Sequence, residues 1–201
     1  MARKKAEGRI RPGTALVVGG AACVWDDLAI ALREFRPARV FVVNDIGTVY
    51  DERIDFWVTL HPEKMLNWQT LRRQNGLNDD YVTIAHELPI HGAYAGGQPR
   101  IDKAVNYAYP GVQMTGSGSS GLLAVKAAQE EGCDRIVLAG VPLTVAGAHF
   151  FESKPWHERD MFVQAWKDCM PLLKDSVRSL SGWTKEQLGY PTPTWFAGGD
   201  R

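Results

Sequence analysis

The chain has 201 residues, 45% of them hydrophobic, and its 23 basic side chains are balanced by 23 acidic ones. That is one domain large enough for a proper core, and zero net charge argues against a nucleic-acid binder held by broad phosphate attraction. No stretch approaches membrane-spanning length, and the basic opening MARKKAEGRIR lacks the apolar run of a signal peptide.

Residues 1–12 read as a mobile basic tail. Thr14 to Gly20 is then a short buried strand ending in two glycines, and Ala21 to Phe35 has helical periodicity until Pro37. Ala38 to Asn44 is a second apolar strand. Strand, helix and strand within about thirty residues form a βαβ unit. A third strand, Asp55 to Leu60, is broken by His61-Pro62, and a helix from Glu63 to Gln74 closes at Asn75-Gly76. Asp80 to Ala85 is a fourth strand. From His86 to Tyr109 the chain is irregular and carries His91, Tyr94, Tyr107 and Tyr109, the pattern of a lid or binding loop.

The stretch from Thr115 to Pro142 follows, TGSGSSGLLAVKAAQEEGCDRIVLAGVP. A Gly/Ser loop feeds a helix whose Leu122, Leu123, Val125 and Ala128 lean to one face, with Lys126, Gln129, Glu130 and Glu131 on the other. Gly132 ends it, and the strand Arg135 to Val141 is apolar enough to be buried on both sides. The first N–H groups of a helix lack internal partners, so such a loop suits a phosphate or carboxylate. Serines that simply cap the helix explain it equally well. It is neither a P-loop nor a dinucleotide fingerprint. Leu143 to Pro155 is irregular and carries His149, Phe150 and Phe151. A helix from Trp156 to Leu173 follows, and residues 176–201 read as a C-terminal extension with a short helix at Thr184 to Leu188.

The alternation specifies an α/β fold, a three-layer Rossmann-like domain with a mainly parallel sheet. Ligands bind such sheets outside the carboxyl ends of the strands. Those ends carry Gly19 and Gly20, Asn44 and Asp45, His61, His86, and Gly140 to Pro142, which points to a small-molecule site. Cys23, Cys133 and Cys169 are widely spaced and form no CxxC, as in reduced thiols of a cytoplasmic protein, and no metal-ligand spacing is present. Seven tryptophans, among them Trp156, Trp166, Trp183 and Trp195, suit ordinary core packing. They also leave open a protein interface, a homo-oligomer included.

Four segments carry a resemblance. VVGGAAC (Val17 to Cys23), VND (Val43 to Asp45), LHP (Leu60 to Pro62) and SSGLLAVKAAQEEGCDRIVLAGVP (Ser119 to Pro142) are similar to pieces of the bacterial sialyltransferases with a single nucleotide-binding α/β domain and their flagellar-glycosylation relatives. The resemblance implies a CMP-type nucleotide sugar as donor, a hydroxyl-bearing acceptor, and inverting transfer that needs no divalent metal or further cofactor. It implies a nucleotide on Gly19, Gly20 and Ala21, contacted by Asn44, with Ser119, Ser120 and Gly121 facing the donor's phosphate or carboxylate. Asp45 and His61 flank that site. It also implies a histidine base after the last core strand, for which His157 and His149 are the candidates, His157 being preferred for its position at a helix start. The first turn is GGAAC where the family has GxGPS, and Val141-Pro142 stands where it has Ile-Asp. Tyr107 and Tyr109 are the nearest counterparts of the tyrosines that assist the departing phosphate. The departures leave two alternatives open, a nucleotide-binding or assembly protein without catalysis, and a hydrolase.

Overall fold

Short β-branched and aromatic runs, each buried on both faces, build the centre of the molecule. Along β1 (Ile10–Val18) Leu16 and Val18 point to one side while Ala15 and Val17 point to the other, all four fully buried. β2 (Arg36–Val43), β3 (Phe56–Thr59), β4 (Val82–His86), β5 (Lys103–Val105), β6 (Arg135–Ala139) and β7 (Val177–Ser179) complete a seven-stranded sheet in the order β5-β4-β3-β2-β1-β6-β7. Every pairing is parallel. The computed structural model describes residues 10–86, 99–145, 149–152 and 154–198. His91 and Tyr94 lie outside the described residues.

Helices cover both faces, which makes the α/β Rossmann-like architecture plain. α1 (Val24–Glu34) and α2 (Pro62–Gln74) pack on the face that holds Leu16, Val42, Trp57 and Val137. α3 (Ser120–Glu130) and α4 (Arg159–Leu173) cover the face that holds Val17, Phe41, Val58 and Leu138. Two short helices, α5 (Gly182–Leu188) and α6 (Pro193–Phe196), finish the described chain.

Several elements differ from the sequence reading. β1 begins at Ile10, inside the stretch read as tail, and its register against β2 shifts between Arg11 and Ala15, where Pro12 and Gly13 interrupt the ladder. β5 sits in the segment read as irregular. β7 makes the C-terminal extension an edge of the sheet. Both have three residues, too few to show a period. α3 is not amphipathic in place: from Ser120 to Ala128 every residue is buried, Lys126 included. The Lys126 ammonium donates to the carbonyls of Asn106 and Ala108 at 2.5 and 2.6 Å, so the helix is roofed by the β5–α3 connection.

The parallel ladder determines where a site forms. From β1 the strands proceed outward through β2 to β5, and the chain then returns to lay β6 against the other side of β1. The connections therefore diverge between β1 and β6, opening a crevice at their carboxyl ends.

Candidate functional site

A cavity of about 650 Å³ occupies that crevice, within the size range of small-molecule sites. Gly19, Gly20 and Ala21 after β1, Asn44 and Asp45 after β2, His61 after β3, Ser119, Ser120 and Gly121 at the start of α3, and Gly140 to Thr144 after β6 all line it. His149 lines it too. His157 does not: it is exposed in the turn before α4, while its neighbours Trp156 and Glu158 face the cavity. Of the two histidines, His149 is the one that borders the cavity.

The glycines at the floor have mechanical reasons. A Cβ on Gly19 would stand 2.5 Å from the Gly140 carbonyl oxygen, and one on Gly140, where φ is +66°, would meet the Gly19 oxygen and Val24. β1 and β6 can end side by side only because both positions lack a side chain. Behind them lies the buried Asp27 of α1. Its Oδ2 accepts from the Gly140 N–H at 2.8 Å and from the Ser181 hydroxyl at 2.6 Å, tying α1, the β6 turn and the approach to α5 into one unit. Cys23 sits against the same carboxylate, and burial pushes its thiol up to about 11, away from nucleophilic use.

Asn44 opens a short 3₁₀ segment, Asn44–Thr48, in a left-handed conformation with φ +56°. β3 holds it there. Trp57 Nε1 donates to the Asn44 carbonyl at 2.6 Å, and the Thr59 hydroxyl donates to Asn44 Oδ1 at 2.8 Å. Arg72, buried in α2, supports the segment from behind by donating to the carbonyls of Gly47 and Tyr50. The other non-glycine residue with positive φ among the described residues is Leu143, and it too lines the cavity. Strained backbone concentrated at one place is a mark of functional sites.

His149 reaches across this floor. Its Nε2 lies 3.2 Å from Asp45 Oδ1, and its Nδ1 is buried without a partner among the described residues. The tautomer that satisfies both environments carries its proton on Nε2, toward the carboxylate. Phe150 and Phe151 pack on the ring at 4.6 and 4.1 Å, and the Phe150 N–H donates to the Gly20 carbonyl, fastening this segment over the first turn. A side chain at position 20 would collide with His149, since a Cβ there would stand 2.9 Å from Nε2.

The Gly/Ser loop serves structure and site together. Ser119 is the N-cap of α3: its Oγ accepts from the Leu122 N–H and from Trp166 Nε1, while its own N–H donates to Tyr107 Oη at 2.9 Å. Ser120 Oγ accepts from the Leu60 N–H. A Cβ on Gly116 would strike the backbone of α4 at Ala165, so that glycine allows close packing. The capping explanation accounts for Ser119 and Gly116. It leaves the first backbone amides of the helix, at Ser120 and Gly121, on the cavity wall. The starts of α2 and α4 border the same space, with His61 as the N-cap residue of α2, Lys64 in its first turn, and Glu158 as the N-cap residue of α4.

Three expected contributors are absent from the wall. The Tyr109 ring is buried, with its hydroxyl donating to the Leu122 carbonyl, and Tyr107 is held by Ser119. Burial raises Tyr107 to about 12 and Tyr109 well above its ordinary value, so both are packing residues. His86 accepts from the Tyr107 N–H at 3.0 Å and caps backbone, the structural alternative for that residue. Sequence reasoning missed Lys64, Glu152, Lys154, Trp156 and Phe162 on the wall. Lys64 stood three residues after His61 on a helix start, which was a usable signal; Glu152 and Lys154 lie on a connection without periodicity, Trp156 stands just before α4 and Phe162 inside it. Of the four C-terminal tryptophans, Trp166 and Trp195 are fully buried in the cores and Trp183 packs against one.

Fold and cavity together define an α/β domain with a small-molecule crevice at its topological switch point. No family model matches the chain, and no curated protein does. Among solved structures nine chains match. One, a crystal structure of a mammalian sialyltransferase, is 13% identical with a TM-score of 0.46, and the match covers 90% of this chain and 71% of that one. Among the described residues no helix is long and apolar enough to cross a membrane, and no three His, Cys, Asp or Glu side chains group to hold a metal ion.

Proposed function

We propose that the crevice binds a nucleotide sugar of the CMP type and that the protein transfers its sugar to a hydroxyl-bearing acceptor. The observation that carries this reading is the position of the cavity, between the ends of β1 and β6, bordered by the starts of α2, α3 and α4. Helix starts favour negative charge, and Lys64 and Lys154 add two cations to the wall, so the donor's phosphate lies toward the first turn of α3. The Asn44 amide, with its oxygen occupied by Thr59, offers its NH₂ group to the nucleoside. The four segments similar to sialyltransferase sequences support a CMP-type donor and chemistry without a divalent metal, since all four contribute to the cavity.

His149 acts as the general base for the acceptor hydroxyl, oriented by Asp45. It does so through Nδ1, the nitrogen that carries no proton when Nε2–H faces Asp45, once the acceptor hydroxyl reaches it. A second reading is favoured by the resting geometry itself: with Nε2 on Asp45 and Nδ1 buried, the pocket suits binding without transfer.

Thermal-shift measurements with CMP, UMP, AMP, NAD and CMP-sialic acid, with and without magnesium, test the reading. A ligand at about a hundred times its dissociation constant adds roughly 2.7 kcal/mol of stability. Stabilisation by cytidine nucleotides without magnesium is expected. No response to any nucleotide would overturn the reading, and stabilisation without turnover of CMP-sialic acid on any hydroxyl acceptor would select the binding protein.

A further inference from the structure

One wall of the cavity is aromatic, and neither the helix starts nor His149 gives it a task. Trp156 is half-buried on the connection before α4, and Phe162, one turn into α4, stands behind it with ring centroids 4.9 Å apart at 34°. Both line the cavity and belong to the side of the sheet where α3 begins. The Trp156 N–H donates to the Val145 carbonyl at 3.0 Å, which fixes the backbone from which the indole extends. An indole that is packed on one side by a second ring and borders a crevice is a stacking surface for a flat, weakly polar ring. A phosphate has no use for it.

We infer that Trp156, backed by Phe162, is the platform on which the nucleobase of the ligand stacks, and that the ligand is a base-bearing nucleotide and not a sugar phosphate. The inference rests on the nucleotide reading of the same cavity and adds the group responsible for selecting the base. With phosphate at the first turn of α3 and the base on Trp156, the ribose bridges the two across the β6 turn, where Gly140 to Leu143 form the floor. Glu158 and Lys154 flank the indole and are the side chains placed to read the edge of the base.

The test compares CMP, AMP and ribose 5-phosphate on the intact protein, Trp156→Ala and Trp156→Phe, by thermal shift and by tryptophan fluorescence. In the wild type the two base-bearing ligands should quench a component of the emission that Trp156→Phe lacks, and ribose 5-phosphate should not. Trp156→Ala should weaken CMP and AMP by roughly tenfold or more while leaving ribose 5-phosphate within about twofold, and Trp156→Phe should keep most of the affinity because a ring remains. If nucleotides stabilise the wild type but leave the Trp156 emission unchanged, this inference fails and the nucleotide reading stands. Equal loss of ribose 5-phosphate in Trp156→Ala also overturns it, since the side chain would then be supporting the cavity as a whole. If no nucleotide binds the wild type, both fall together.

Discussion

His149 and Asp45 are 104 residues apart in sequence and 3.2 Å apart in space, and the proposed transfer turns on that pair. Replacing His149 by Ala removes the base and leaves the helix starts and the cavity floor intact. Transfer should fall by about a hundredfold or more, with nucleotide affinity held within a few-fold. Asp45→Asn keeps the shape of the contact but removes the charge that orients Nε2, so it should reduce kcat less than His149→Ala does. His157→Ala should leave turnover unchanged, because that side chain is exposed outside the cavity. Assays of kcat and KM for the three variants decide the assignment: full activity in His149→Ala sinks the base role whatever the others do. The sequence offered two histidines after the last core strand, and its ground for preferring His157, a place at a helix start, does not report which one faces the cavity. The choice depends on Gly20, whose missing side chain makes room for the imidazole, and that relation spans more than a hundred residues.

At the scale of elements, the site is assembled by turns that hold strand ends together, and Asp27 is central to one of them. Its carboxylate is buried in the first turn of α1 and satisfies the Gly140 N–H and the Ser181 hydroxyl. Asp27→Ala leaves the buried Gly140 N–H without its acceptor and takes from the half-buried Ser181 hydroxyl its shortest partner, at a cost of about 2 kcal/mol. For a domain of this size that lowers the Tm by about 4 °C or more, and ligand binding should weaken as the β6 turn loosens. Thermal denaturation measures the first effect; an unchanged Tm would mean the network carries no stability. The strands and helices themselves were legible wherever an apolar run was long enough to show a period, as in β1, β2, β6 and α3. Gly132 closes α3 with φ +80°, where a left-handed cap was expected. The carboxyl-end residues were legible as a group because a parallel α/β sheet brings them to one edge. β5 and β7 were not, being three residues each, and Lys126 was misplaced because its partners are carbonyls of a distant connection. Asp27 looked like an ordinary first-turn acid, its role being set by β6 and Ser181.

The whole molecule has zero net charge, so its response to pH comes from particular buried or paired groups and not from general repulsion. On the acid side, the hydrogen bond from Lys103, helped by Arg39, holds Glu131 below its ordinary 4.5, and the Thr115 N–H does the same for Asp168 below 3.8. Both carboxyls release protons more readily when folded. Their contribution is present above the unfolded values and is lost as pH falls through the folded ones. On the alkaline side the sign reverses. All five described tyrosines are raised above 10: burial is the leading cause at each, taking Tyr81, Tyr107 and Tyr190 to about 12 and Tyr50 and Tyr109 higher. The buried thiols of Cys23 and Cys169 are raised to about 11 and act in the same sense. Below about pH 9 folded and unfolded chains both keep these protons, and the native state loses nothing; above it the unfolded thiols are the first to ionise. From about pH 10 to 12 the unfolded chain releases protons that the folded chain retains, so each added pH unit favours unfolding. The protein should therefore be stable on a plateau from about pH 5 to 9, lose stability above it and then unfold cooperatively. An alkaline titration following tyrosinate absorbance in the near ultraviolet together with circular dichroism checks this. The two signals should rise and fall in one transition, because the rings ionise only when their packing opens. Tyrosinate appearing at about pH 10 while the dichroism stays native would show that these rings are in contact with water, and the roles given to Tyr107 and Tyr109 as packing residues behind α3 would fall with it.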